Sequence, residues 1–201
     1  MLHEMVNWIV ELVEGLGYAG IVIMMLLESS FFPFPSEVVM IPAGYLASQD
    51  KMNIYLVLLS GVSGSIIGAV LNYYLAKYLG RSFLLKYGKY MLIKEKTIWK
   101  MEEFFAKHGH ISTFSGRLIP GVRQYISLPA GIAKMDIKSF VFFTGLGAGI
   151  WVLVLTLLGY FIGANEELVK TYVKEITLIT LVSLLLLATL YTIIYKRKSS
   201  K

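Results

Sequence analysis

The sequence predicts an all-α polytopic membrane protein. It would have three full transmembrane helices, two opposed re-entrant helical hairpins forming an inverted repeat, and interfacial amphipathic helices. Three observations carry this prediction. Of the 201 residues, 56% are hydrophobic and only 16% are charged, with mean hydropathy +0.66, whereas soluble domains carry about 25% charge. Three stretches are uncharged and long enough, at about 1.5 Å of rise per residue, to cross about 30 Å of hydrocarbon. Two further apolar stretches are broken by proline.

The three uncharged stretches are 52–76, 139–165 and 176–195. The two broken ones differ in kind. In the first, an apolar run over 15–27 meets Glu28, then Phe31-Phe32-Pro33-Phe34-Pro35-Ser36-Glu37, and resumes over 38–47. In the second, a run from Ile111 meets Arg117, Pro120 and Arg123 and resumes over 125–133. Proline removes an amide donor and clashes with the preceding turn, so Pro33, Pro35 and Pro120 break the helices there. Each arm spans about half a bilayer. Broken backbone at that depth persists only when buried in protein or lining a wet cavity, so both stretches read as re-entrant hairpins.

The flanking segments are amphipathic. Leu2, Val6, Ile9 and Val13 recur at helical spacing, with Glu4, Asn7, Glu11 and Glu14 on other faces. This reads as an interfacial helix rather than a signal peptide, whose start would be basic. The stretch 95–107 carries Ile98, Met101 and Phe105 on one stripe and reads as a second interfacial helix. His108-Gly109-His110 after it reads as a solvated loop. The organisation is then one membrane domain over 1–201. A first repeat covers 15–80, a basic cytoplasmic connector 81–110, a second repeat 111–163 and a C-terminal transmembrane helix 176–195.

Charge orients this topology. Lys51, Lys170 and Lys174 fall on one side of the membrane. Every other Lys and Arg falls on the other, apart from Arg117 and Arg123 in the second hairpin. Excess Lys and Arg marks the cytoplasmic face, which places the N-terminus outside and the C-terminus in the cytoplasm. The net charge of +6 thus belongs to membrane-flanking loops, with no groove-reading motif beside it, and no nucleic-acid partner is expected.

The repeat is visible in the order of features. Pro42-Ala43-Gly44 recurs as Pro129-Ala130-Gly131, each after a proline-broken hairpin. Met52-Asn53-Ile54 matches Met135-Asp136-Ile137, Gly64 matches Gly147, and both long helices end at glycine, Gly80 and Gly163. One crossing separates the hairpins, so they enter from opposite faces. Inverted repeats with broken helices meeting near the midplane are a transporter pattern. Gly44, Gly64, Gly68 and Gly131 allow close helix contact. Such helices pack within a chain or between chains, so a homo-oligomer is compatible with the sequence.

Four ionisable residues sit in the hairpins: Glu28, Glu37, Arg117 and Arg123. Each costs about 3 kcal/mol at the bilayer centre on insertion scales. Two carboxylates and two guanidiniums cancel formally, so a structural salt-bridge set is one reading. The functional reading gives them separate tasks. Arginine offers a planar donor fork matched to phosphate, and two arginines across a proline break can converge on one phosphate. A buried carboxylate can carry a proton near neutral pH, and protonating it would release its arginine for an anionic ligand. Tyr73, Tyr74 and Trp151 read as packing. With no cysteine and three histidines (His3, His108 and His110), no metal site or cofactor is expected.

At these residues the chain resembles the DedA family, which shares the VTT, or SNARE-associated, domain. Glu28, Pro33, Pro35, Glu37, Ala43 and Gly44 look like its acidic motif. Gly116-Arg117-Leu118-Ile119-Pro120-Gly121-Val122-Arg123, ending in Ala130-Gly131, looks like its basic motif. Gly64, Gly68, Tyr73 and Gly80-Arg81 resemble the stretch between them. Ala76 stands where many relatives have glycine, and Asn72 where an acid is common. The resemblance covers roughly 15–163. It implies a bacterial cytoplasmic-membrane protein, not an enzyme, that moves undecaprenyl phosphate or another anionic lipid between leaflets, either as a scramblase moving it downhill or as a flippase coupled to the proton motive force. Glu28 and Glu37 would be its proton-coupling pair and Arg117 and Arg123 its lipid-phosphate-binding pair, so the partners are an anionic lipid head group and protons. The competing reading is a proton-coupled antiporter of small cations or drugs, with the acids as the site and the arginines as counter-ions. An intramembrane lipid phosphatase would need a nucleophile with a positioned base or metal, and no histidine lies in the candidate bilayer segments. A non-transporting scaffold would leave the buried charges no task beyond folding.

Overall fold

The structure is a computed structural model that describes residues 15–30, 35–80, 95–119 and 122–162, with 165, 175, 178, 182, 185, 186 and 189; for 95–98 and 100–102 it describes the backbone alone. The expected N-terminal interfacial helix, residues 81–94 of the 81–110 connector and most of the 176–195 span lie outside the described residues, as do Pro33 and Pro120. Among the described residues the chain is helical, with no strand.

Among the described residues, α1 (Tyr18–Glu28), α2 (Glu37–Ser48), α3 (Ile54–Leu75), α4 (Glu95–Leu118), α5 (Ser127–Ile132) and α6 (Ile137–Ile162) follow in order. The last turn of α3 widens to a π-turn over Ala76–Gly80. Among the described residues two helices are long and apolar enough to cross a membrane, Ile54–Gly80 with 27 residues and Ile137–Ile162 with 26.

α3 faces its small and polar residues inward: Ser60, Gly61, Gly64, Ser65, Gly68, Ala69 and Asn72 are buried. Its outer face carries exposed Tyr55, Leu56, Leu59, Ile67 and Leu71, and α6 likewise exposes Phe142, Leu146, Ile150, Leu153 and Phe161. Small residues inside and large apolar ones outside suit a protein whose solvent is lipid, where close packing rather than hydrophobic burial joins the helices.

The packing is reciprocal. α1 lies on α3 and α4 on α6, each first arm against the long helix of its own half. The second arms cross over: α2 packs on α6, and α5 packs on α3 and its π-turn. Glycine makes both crossings. A methyl group at Gly44 would run into the Thr156 carbonyl, and one at Gly131 into the Tyr73 carbonyl. In the register that aligns Gly64 with Gly147, Tyr73 aligns with Thr156, so equivalent glycines meet equivalent carbonyls.

Both second arms end alike. Lys51 N–H donates to Leu46 O and Asp50 N–H to Ala47 O; Met135 N–H donates to Ala130 O and Lys134 N–H to Gly131 O. These are Schellman closures. Asp50 (φ 56°) and Lys134 (φ 51°) hold the left-handed position that glycine usually takes. Each long helix then starts on a capped turn. Asn53 Oδ1 accepts from the N–H of Tyr55 (2.9 Å) and Leu56 (3.4 Å), and Asp136 Oδ2 accepts from Ser139 N–H (2.9 Å).

The structure differs from the sequence reading at 95–118. The interfacial helix, the expected loop at His108-Gly109-His110 and the first arm of the second hairpin are one continuous 24-residue helix, α4. No proline interrupts this stretch. A helical glycine costs about 1 kcal/mol, but Gly109 is buried and lies against Met135, in the turn that leads into the second long helix. The close approach that glycine permits offsets its conformational cost.

Candidate functional site

The charged residues of the two broken stretches come together. Glu28 ends α1, Glu37 begins α2, Arg117 lies in the last turn of α4 and Arg123 in the turns before α5. Glu28 and Arg117 are each 2% exposed and Arg123 7%. Such burial is affordable only with partners.

Arg123 is the shared partner of both acids. Its Nε lies 2.9 Å from Glu28 Oε1 and its Nη2 3.7 Å from Glu37 Oε2. The first contact is close without being an aligned hydrogen bond, so Glu28 Oε1 and Arg123 Nε each lack one. Glu28 Oε2 accepts from Ser29 Oγ–H at 2.9 Å. The indole of Trp151 in α6 lies against Arg123, with the guanidinium carbon 5.3 Å from the ring centre. The same indole donates from Nε1 to Ser36 Oγ at 3.3 Å.

Arg117 is held differently. Its Nη2 donates to Ser127 Oγ in α5 at 2.8 Å, its buried Nε has no hydrogen-bond partner, and among the described residues it pairs with no carboxylate. Gly147 makes room for it: a methyl group there would press on the Arg117 Cβ. The repeat glycine thus seats an arginine, while its equivalent Gly64 seats the backbone of Val22.

Glu28, Ser29, Ser65, Arg117, Arg123 and Trp151 line one cavity of about 10 Å³, room for about one water. Asn72 in α3 donates from Nδ2 to the carbonyls of Ser29 (3.2 Å) and Ser30 (2.9 Å), acceptors past the end of α1.

Of the residues singled out in the sequence, Glu28, Glu37, Arg117 and Arg123 therefore form one cluster. Gly44, Gly64, Gly68 and Gly131 make backbone-close helix contacts, and Pro35 immediately precedes the turn into α2. Tyr73 is packing, as expected: it is fully buried, stacks on Phe140 and donates its hydroxyl to the Met135 carbonyl. Trp151 is not ordinary packing, since it faces Arg123 in the cavity. Ser29, Ser36, Ser65 and Ser127 escaped sequence reading because serine in an apolar helix carries no signal until its partner is known.

A helical membrane protein with a buried, near-neutral cluster of acids and arginines between two reciprocally packed halves is the class this fold and site define. The VTT domain family matches residues 34–161. The chain belongs to that family, the DedA family of membrane proteins. Undecaprenyl phosphate transporter A of Bacillus subtilis is 36% identical over 201 residues, covering 98% of this chain and 96% of that protein. The uncharacterized membrane protein YkoX of the same organism is 36% identical over 197 residues, covering 98% and 87%. Protein DedA of Escherichia coli is 28% identical over 171 residues, covering 81% and 77%. No solved structure matches the chain. The similarity to undecaprenyl phosphate transporters supports a lipid-transport role.

Proposed function

We propose that this chain is a translocase of lipids with a phosphate head group, with undecaprenyl phosphate the foremost substrate. The observation that carries the reading is the unequal partnering of the two arginines. Arg123 is bound to both carboxylates, whereas Arg117, as deeply buried, shares the cavity with Glu28 but makes no ion pair with a carboxylate among the described residues, donates to Ser127 and keeps a bare Nε–H. A buried guanidinium with an unbonded N–H and no close ion pair has donor capacity left for an anion, and its planar fork suits phosphate.

In this reading the cavity of about 10 Å³ is the closed form. A head group enters when the hairpin tips part, meets Arg117 first, and recruits Arg123 once Glu28 or Glu37 takes up a proton. Loss of that proton returns Arg123 to the acids and expels the phosphate. The prenyl or acyl tail stays in lipid throughout. The two broken stretches act as opposed re-entrant hairpins, 176–195 supplies a third span, and the Lys/Arg asymmetry puts the C-terminus in the cytoplasm. The reciprocal crossing of α2 and α5 supports an inverted repeat that rocks about this site.

Binding tests the reading directly. Purified protein is titrated with a short-chain prenyl phosphate and with the matching prenyl alcohol. The phosphate is expected to bind and the alcohol not, and Arg117→Ala is expected to weaken phosphate binding by about thirtyfold, the value of one charge-assisted pair near 2 kcal/mol. Equal binding of the two ligands, or tight phosphate binding by Arg117→Ala, contradicts it.

A further inference from the structure

Trp151 occupies a place in the cavity where the two halves of the chain are built differently. In the register that aligns Gly64 with Gly147, Trp151 falls on Gly68. Gly68 admits backbone, the Leu26 carbonyl, and a methyl group there would collide with it. Trp151 instead fills the equivalent place with a ring that is 4% exposed.

That ring touches both sides of the charge cluster. Its face lies 5.3 Å from the Arg123 guanidinium carbon, and its edge donates to Ser36, the residue before Glu37. The charged groups around Arg123 are Glu28 from α1, Glu37 from α2 and Arg117 from α4. The first two attract and can be neutralised by protons, and the third repels. The indole face is the one attractive neighbour of Arg123 among these whose pull no proton can remove, because it comes from the ring quadrupole.

We infer that Trp151 is a positioning residue for Arg123: its π face keeps the guanidinium in the cavity when a carboxylate lets go, so that the fork meets an arriving phosphate instead of swinging away. This rests on the lipid-phosphate reading above and adds to it the residue that holds the arginine between its two partners. Ring-edge donation to Ser36 ties the same indole to the start of α2, so the seat for Arg123 moves with the arm that bears Glu37.

Fluorinated tryptophans test this, since added fluorine drains the negative face of the ring while nearly preserving its shape. Trp8 and Trp99, the other two tryptophans, are replaced by Phe, so that Trp151 alone takes the analogue. The protein is reconstituted into liposomes and the translocation of a fluorescent prenyl phosphate is measured, with Arg123→Ala in the same background beside it. The rate is expected to fall stepwise from unmodified to tetrafluorinated indole, by about threefold or more over the series, with the folded fraction unchanged. A flat series beside an inactive Arg123→Ala overturns the role of Trp151 and leaves the lipid-phosphate reading standing. A flat series beside a fully active Arg123→Ala overturns both.

Discussion

Arg123 Nε sits 2.9 Å from Glu28 Oε1, joining the end of α1, in the first broken stretch, to the turns before α5, in the second. The two residues are far apart in sequence and come from different halves of the repeat. Both are nearly inaccessible, so the contact is an ion pair in a low-dielectric setting. Such a pair adds little net stability over an apolar pair, but removing one partner strands the other. The pair therefore holds while both charges stand, and neutralising either one would leave the other buried without its partner.

The two acids should differ in cost. Glu28→Gln removes the carboxylate in closest contact with Arg123 and should destabilise the fold by about 3 kcal/mol, as for other broken buried pairs. Glu37, at 3.7 Å and with 22% of its side chain exposed, should cost about 1 kcal/mol or less as Gln. Denaturation in mild detergent, monitored by circular dichroism, orders the two. The reverse order would mean that Glu37 is the principal partner of Arg123.

The crossings of the second arms should depend on glycine. Gly44→Ala and Gly131→Ala each push a methyl into a carbonyl of the facing helix, at a cost of about 1–3 kcal/mol. Gly149→Ala is the control. Its nearest neighbour would be a Val62 methyl at 3.9 Å, an ordinary contact, and the gain in helix propensity is about 1 kcal/mol. Thermal melting should show two losses and one neutral or stabilising change. Tolerance of Ala at both 44 and 131 would argue against the reciprocal packing.

The two capped helix starts should respond differently to acid. The Ser139 N–H bond to Asp136 holds its carboxyl below the usual range, with neighbouring Lys138 adding to the effect. A lowered folded-state pKa means the cap's contribution is complete above the unfolded value of about 3.9 and disappears as pH falls through the lower folded value. Asn53 caps the equivalent turn and does not titrate in this range. The difference in melting temperature between wild type and Asp136→Asn should thus be constant from pH 7 to 5 and change only below about pH 4. A difference that drifts throughout the neutral range would contradict the assignment.

Much of this was legible in the sequence for a plain reason. Long uncharged helices, proline breaks and lone charges in apolar runs are local signals, and Glu28, Glu37, Arg117 and Arg123 stand out without any knowledge of the fold. What was not legible depends on who faces whom. Nothing local says that Arg123 takes both acids while Arg117 takes Ser127, or that Trp151 turns its face to a guanidinium. The solvated loop expected at His108-Gly109-His110 failed because nothing local shows that Gly109 is buried against Met135, with the helix running through it. The repeat was visible as matched motifs, but its meaning, equivalent glycines seated on equivalent carbonyls, needed the packing.

The central claim is that Arg117 and Arg123 carry a lipid phosphate across the membrane, and translocation itself tests it most directly. Protein in liposomes is given a fluorescent prenyl phosphate on one leaflet, and loss of accessibility is followed with and without a pH gradient for wild type, Arg117→Ala and Arg117→Lys. Wild type should move the lipid, faster with the gradient. Arg117→Ala should be slower by about tenfold or more, with Lys in between because it keeps the charge but not the fork. Movement by Arg117→Ala at the wild-type rate, with the protein folded, would contradict the account.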